Sequence, residues 1–247
     1  MKNKITSIDE TGSNFNHIVN QFGFYSSVLT AIIAALFFIA GILTPARSGP
    51  FAPAANSITY PYTNVAAFIP NDYLWLYPGI LLALIFVVLM VCIHYYAAND
   101  KKIFSQIALS FALIYATVIS IDYFIQFTIV IPSILSGETA GLSLFTQYNP
   151  HGIFIALEGL GYFMMSVAFL FAAAVFAGGK VERAIRWLFV ASFILAIVSF
   201  TVLSLLKYDI VAFEVTILTI NWTVLIVSGI LLSVLFRRAG QREKKRN

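Results

Sequence analysis

The chain has few of the residue types that build soluble domains, disulfide frameworks or metal sites. Only 11% of its 247 residues are charged, 60% are hydrophobic, and the mean hydropathy is +0.89. Soluble globular domains carry about 25% charged residues, so this composition excludes that class. The single cysteine, Cys92, has no partner for an intramolecular disulfide, and no Cys/His pair has metal-ligand spacing. We therefore expect neither a metal ion nor a cofactor.

Several signatures of catalysis and nucleic-acid binding are also missing. The sequence contains no Gly-x-Ser-x-Gly, no His-Glu-x-x-His and no phosphate-binding loop. The formal net charge is +4, but the cations lie at the ends of apolar segments and at the C-terminus instead of on a face interleaved with aromatic residues. We expect the lipid bilayer to be the partner of this chain, and no nucleic acid.

Long apolar runs are what the sequence does have. A helix needs about 20 apolar residues to cross a bilayer, and six segments reach this length: 24–44, 74–97, 103–131, 152–177, 184–206 and 210–236. They predict an all-α polytopic membrane protein, a bundle of six transmembrane helices within residues 24–236. An N-terminal arm (1–23) precedes the bundle, a basic tail (237–247) follows it, and the two longest loops cover 45–73 and 132–150.

The distribution of cations predicts the orientation of the bundle. Six spans place both termini on one side, and Lys or Arg residues are enriched in cytoplasmic loops. If the termini are cytoplasmic, only Arg47 and Lys207 lie outside. The inside then holds Lys2, Lys4, Lys101, Lys102, Lys180, Arg183, Arg186 and the basic tail. We therefore predict cytoplasmic termini, outer loops at 45–73 and 132–150, and a location in the cell (inner or plasma) membrane.

Two acids within the third and fourth apolar segments are the best indication of a site. A carboxylate at the centre of a membrane helix costs about 2.5–3.5 kcal/mol, so it normally faces a partner or a water-filled cavity. At a rise of about 1.5 Å per residue, Asp122 lies roughly 13 Å and Glu158 roughly 10 Å below the outer ends of their helices. Because consecutive antiparallel helices usually pack together, the two carboxyl groups can share one outward-facing cavity.

Other polar residues recur at helical spacing near these acids. Such stripes face protein or water instead of lipid, so we expect them to line the same cavity. The candidate ligand-binding residues are Asp122, Gln126 and Tyr115 on the third segment, His151, Glu158 and Tyr162 on the fourth, and Glu214 and Asn221 on the sixth.

Each candidate also has a purely structural interpretation. Asn221 is more simply explained as an interhelical hydrogen-bond partner, a contact that contributes roughly 0.6 kcal/mol in membrane bundles. His151 fits a helix cap or an interfacial position. Asp122 and Glu158 can share one proton, or each can be neutral and hydrogen-bonded, serving only to fix packing. Asn71-Asp72 and Asn149-Pro150 have the composition of helix caps.

Three functions follow from these interpretations. The favoured one is binding or transport of a cation, a proton or a small polar molecule through an outward-facing polar cavity, and the possible partners are a small polar molecule, a cation or a lipid. The alternative is a non-catalytic membrane scaffold or accessory subunit in which the acids specify packing. The third is a membrane-embedded lipid-modifying enzyme that uses Asp122 and Glu158 as acid and base.

A short pattern in the centre of the chain resembles one found in prokaryotic multi-pass integral membrane proteins. It consists of Asp122-Tyr123-Phe124-Ile125-Gln126, Asn149-Pro150-His151-Gly152 and Ala156-Leu157-Glu158-Gly159. The resemblance covers about the central third of the chain. It implies a membrane-embedded fold and no particular activity.

Overall fold

The computed structural model describes the backbone of residues 2–53 and 57–245, and the side chains of residues 16–53, 57–242 and 245. Within these ranges the regular structure is entirely helical. The helices are α1 (Lys2–Leu43), α2 (Leu76–Tyr96), α3 (Lys102–Ile125), α4 (Ile131–Ser136), α5 (Ile153–Ala173), α6 (Lys180–Ser199) and α7 (Ile210–Lys244). Short 3₁₀ turns occur at Ala66–Phe68, Asn71–Tyr73, Asn99–Lys101 and Leu142–Leu144.

Six of the helical segments are long and apolar enough to cross a membrane, with mean hydropathies between 1.8 and 2.8. The prediction of an all-α chain with six helices able to span a membrane is therefore confirmed for the described part of the chain. The arm before the first span is itself helical and continuous with it, because α1 begins at Lys2.

The third span is longer than the sequence indicates. A π-helical turn, Gln126–Val130, links α3 to α4, so the helix continues to Ser136, five residues beyond the expected end. It stops there because Gly137 adopts φ = 75°, a left-handed conformation that glycine accepts without a steric penalty. A second π-helical turn, Phe200–Leu206, extends α6 in the same way.

The two expected caps do not form as helix caps. No side chain caps the N-terminus of α2, and Asp72 lies in the 3₁₀ turn before it. At α5 the capping position is Gly152, and Asn149 instead accepts a hydrogen bond from the backbone N–H of His151 at 2.9 Å. Both polar residues are used in loop contacts, which compete with the capping geometry.

The spans pack as a closed up-and-down bundle in chain order. Each span contacts the next, α7 returns to contact α1, and α5 also contacts α7. One close approach is between α1 and α7, where a Cβ added to Gly229 would lie 2.7 Å from the Ser27 carbonyl oxygen. A small residue at this crossing lets the two backbones meet.

The bundle has two ends, which we name by what they carry. The terminal face holds the first residues of α1, the last residues of α7 and the α2–α3 and α5–α6 connections. The loop face holds the segments 44–53, 57–75 and 137–152 and the α6–α7 connection. The candidate site lies near the loop face.

Candidate functional site

Three acids from three different helices meet inside the bundle. Asp122 on α3, Glu158 on α5 and Glu214 on α7 are 1%, 0% and 7% exposed. Glu158 interacts electrostatically with both of the other acids, and Asp122 also interacts with Glu214. Glu158 lies five residues after the start of α5 and Glu214 four residues after the start of α7, so the cluster is close to the loop face.

The hydrogen bonds of this cluster are incomplete. Glu158 Oε1 accepts a hydrogen bond from the Tyr123 hydroxyl, whereas Glu158 Oε2 and Asp122 Oδ2 receive none from the described groups. The Glu158 and Glu214 carboxyl groups lie close enough to interact electrostatically. Because two ionised carboxylates repel each other, this buried pair holds a proton unless a cation lies beside it.

Tyr123 reaches Glu158 because α2 provides space for its ring. A Cβ added to Gly79 would lie 2.4 Å from Tyr123 Cε2, closer than any real contact allows. The ring also packs edge-on against Trp75 (centroids 5.6 Å apart) and stacks on Phe154 (5.9 Å). The aromatic packing therefore fixes the hydroxyl next to the acid.

No protein cation compensates the three acids within the described residues. The ion pairs found there are Arg47–Asp72 and Lys101–Asp100, and neither involves the cluster. The same part of the chain contains no group of three His, Cys, Asp or Glu side chains arranged to hold a metal ion. A buried carboxylate without a countercharge must be protonated or paired with something outside the chain.

Glu214 also forms part of the wall of a cavity of about 380 Å³ at the loop face. This volume lies within the range of small-molecule sites, roughly 300–1,000 Å³. Most of the wall is apolar or aromatic, with contributions from Phe38, Phe51, Trp75, Phe154, Leu218 and Trp222. The charged residues of the wall are Arg47, Asp72 and Glu214.

An ion pair holds the loop-face wall of this cavity together. The Arg47 guanidinium donates to both carboxylate oxygens of Asp72, and Tyr148 also donates to Asp72 from 3.2 Å. The hydrogen bond to Asp72 raises the pKa of Arg47, and burial raises the pKa of the Tyr148 hydroxyl. Arg47 also stacks over Phe68, with its Cζ 3.6 Å from the ring centroid. Arg47 and Asp72 thus neutralise each other, which leaves Glu214 as the uncompensated charge of the wall.

Two predicted site residues hold α5 and α7 together beside the acids. The Asn221 amide donates to the Tyr162 carbonyl and to Ser166, and Ser166 in turn donates to the Asn221 amide oxygen. The Tyr162 hydroxyl accepts from Trp222 Nε1 at 3.1 Å. Asn221 is thus fully bonded to protein groups, which is the interhelical role considered for it above.

The remaining predicted residues lie at other places. Tyr115 is buried next to Tyr162, with ring centroids 5.5 Å apart. Gln126 is buried in the π-helical turn, where its amide donates to the Phe145 carbonyl at 2.7 Å and ties α3 to the second loop. His151 is exposed at the loop face and does not line the cavity.

Sequence reasoning missed Tyr123, the Arg47–Asp72 pair and the aromatic wall of the cavity. Tyr123 follows Asp122 directly, so helical periodicity places it on a different face, and only the position of α2 reveals its role. Arg47 and Asp72 are 25 residues apart in an irregular segment, where no spacing rule applies.

Comparison of the chain with protein-family models, curated proteins and solved structures found no match. The function proposed for this protein therefore rests on the geometry of the site.

Proposed function

We propose that this membrane protein binds a small organic cation in the loop-face cavity and exchanges it for a proton held by the acid cluster, as a carrier does. One observation carries the proposal. Glu214 lines the cavity on one side and meets the buried Glu158 on the other. A molecule in the cavity therefore contacts one member of a buried acid pair, and this pair must hold a proton or a cation.

The charge and shape of the cavity support a cation with an apolar body. Arg47 and Asp72 cancel, so the charged lining residues sum to one negative charge, that of Glu214. Trp75 and Trp222 in the wall are the kinds of aromatic face that attract organic cations, by about 0.5–2 kcal/mol each.

The exchange follows from the chemistry of the pair. Without a ligand, the pair formed by Glu158 and Glu214 holds one proton. An arriving cation pairs with the Glu214 carboxylate, and the proton leaves through the cavity to the water at the loop face, so the net charge of the site is unchanged. The groups facing this proton are Asp122, Tyr115 and Tyr123 from α3 and Tyr162 from α5, none of them a cation.

We place the loop face outside and the terminal face in the cytoplasm of a cell that carries this protein in its plasma or inner membrane. The terminal face carries Lys101, Lys102, Lys180, Arg183, Arg186, Arg237, Arg238 and Arg242, and the loop face carries Lys207 and the already paired Arg47. This asymmetry supports that orientation through the excess of Lys and Arg in cytoplasmic loops.

The test is a thermal shift of the purified protein in dodecyl maltoside with choline as the probe. Its neutral isostere, 3,3-dimethylbutan-1-ol, has the same shape without the charge. We expect choline to raise Tm and to release protons into weakly buffered solution, and the alcohol to do neither. Glu214→Gln should abolish both effects, and Asp122→Asn and Glu158→Gln should abolish the shift while the fold stays intact. Glu138→Gln, which alters an exposed acid of the loop face, is the matched control.

The opposite result supports the scaffold alternative. If Asp122→Asn and Glu158→Gln unfold the protein and neither choline nor the alcohol shifts the parent, the acids serve packing. Equal shifts by choline in the parent and in Glu214→Gln would also overturn the proposed site.

A further inference from the structure

The cavity reaches the outer surface of the bundle between α1 and α7. Its wall includes Ile42, Val215 and Thr219, and these residues are also exposed on the perimeter of the bundle, Ile42 at 67% and Val215 at 42%. In a spanning protein this perimeter faces lipid. The cavity therefore has a side opening toward the bilayer in addition to its opening at the loop face.

The packing of α1 against α7 explains the side opening. Toward the terminal face the two helices touch, with Gly229 against Ser27 and Ala31, and Gly23 against Phe236. Toward the loop face the cavity is lined by Phe38, Gly41 and Ile42 of α1 and by Val215 and Leu218 of α7, and we call this part of it the gap. Trp222 ends the gap toward the bundle interior, where its ring packs on Phe38 with centroids 5.6 Å apart.

Along the gap, the charged residue lies near the interface and the apolar residues lie deeper, which is the order of head group and chain in one leaflet of a bilayer. Glu214 lies one turn from the start of α7, near the interface, whereas Trp222 lies about 18 Å along the helix from that start, at a rise of about 1.5 Å per residue. Between them the wall is mainly apolar, with Leu218 and Phe38, and the hydroxyl of Thr219 is bonded to the Val215 carbonyl. A molecule that lies in the gap has its charged end at Glu214 and its apolar part toward the midplane.

From this arrangement we propose that the occupant of the cavity is a membrane lipid or lipid-like amphiphile with a cationic head group and an apolar chain, which enters sideways between α1 and α7. The head group pairs with Glu214, and the chain lies in the gap with its end near Trp222. This inference rests on the proposed function and specifies its ligand.

The proposal is tested by fluorescence quenching with a brominated chain. A bromine atom in contact with an indole ring quenches its emission, and of the three tryptophans Trp75 and Trp222 line the cavity whereas Trp187 is 66% exposed on α6. The probe is 12-bromododecyltrimethylammonium, and 12-bromododecan-1-ol is its neutral counterpart. The protein is Trp187→Phe in dodecyl maltoside, so that the remaining emission reports the cavity.

We expect saturable quenching by the ammonium probe and weak, non-saturable quenching by the alcohol. Glu214→Gln should remove the saturable part, and so should Thr219→Phe, which fills the side opening. Thr223→Phe is the matched control, because Thr223 is also exposed on α7, donates the same kind of hydrogen bond to the carbonyl four residues earlier, and does not line the cavity.

Two outcomes separate this inference from the proposed function. If choline binds in a Glu214-dependent way but the brominated chain quenches no more than the alcohol, the ligand is a soluble cation and the lipid inference is wrong. If Thr219→Phe and Thr223→Phe behave alike, the side opening is not the route of entry. If neither choline nor the ammonium probe binds, the proposed function itself fails.

Discussion

At the scale of single residues, the acid cluster depends on a tyrosine that carries no charge. Tyr123 donates to Glu158 from a fully buried position, and Gly79 on the neighbouring helix leaves the space for its ring. The hydroxyl satisfies one oxygen of an acid that has no cationic partner among the described residues. The hydrogen bond from Tyr123 therefore contributes to stability, because its loss leaves a buried acceptor without a donor.

Tyr123→Phe removes this donor and keeps the ring. We expect it to lower the free energy of unfolding by about 1–3 kcal/mol, the usual cost of a buried polar atom left unpaired. Thermal unfolding in detergent measures the change. Tyr25→Phe is the control, since Tyr25 is 63% exposed on α1 and far from the acids in sequence. Equal Tm values for the two variants would show that Glu158 does not depend on the hydroxyl.

At the scale of elements, the loop-face segments are held by polar contacts more than by helix packing. Arg47 lies after the end of α1, and Asp72 lies in the turn before α2, so their ion pair closes the segment between these helices. Gln147 and Tyr148 of the second loop donate to the same Asp72: the Gln147 side-chain amide to the Asp72 backbone carbonyl at 3.0 Å, and the Tyr148 hydroxyl to the Asp72 carboxylate. One buried acid thus connects both loops above the cavity.

Arg47→Gln leaves the Asp72 carboxylate buried at 3% exposure without its cation. Breaking one side of a buried pair costs about 3–5 kcal/mol, so we expect a lower Tm and faster proteolysis within residues 44–70. Combining Arg47→Gln with Asp72→Asn should recover much of the loss, because the second change removes the unpaired charge.

Lys207→Gln is the control for this pair, since Lys207 is an exposed cation of the same face. It should leave both the Tm and the cleavage pattern unchanged. If Arg47→Gln is as stable as Lys207→Gln, the pair does not organise the loop face.

At the scale of the whole molecule, the two faces differ in charge, which predicts the orientation of the protein in the membrane. Single cysteines introduced as Glu138→Cys at the loop face and Gly179→Cys at the terminal face, both in Cys92→Ala protein, report it. Both positions are exposed. We expect a membrane-impermeant maleimide to label the first in intact cells and the second only after permeabilisation, because cytoplasmic loops are enriched in Lys and Arg.

The control is the parent with Cys92→Ala alone, which should stay unlabelled in both conditions. The reverse pattern, with Gly179→Cys labelled in intact cells, would place the loop face in the cytoplasm. The proposed cation would then bind from the inside.

The sequence alone determined that the chain folds as six apolar helices. This property is local, since some 20 consecutive apolar residues must satisfy their own backbone hydrogen bonds in lipid and only a helix does so within one segment. It also identified Asp122, Glu158 and Glu214 as candidates, because an acid within such a segment is costly wherever the helix lies.

Only the tertiary structure decided what surrounds these acids. Tyr123 and Gly79 belong to different helices, Arg47 and Asp72 lie in an irregular segment, and the cavity is lined by residues of both α1 and α7. Such contacts depend on how whole helices are placed side by side, and residue spacing within one helix does not specify which side chains of a neighbouring helix it meets.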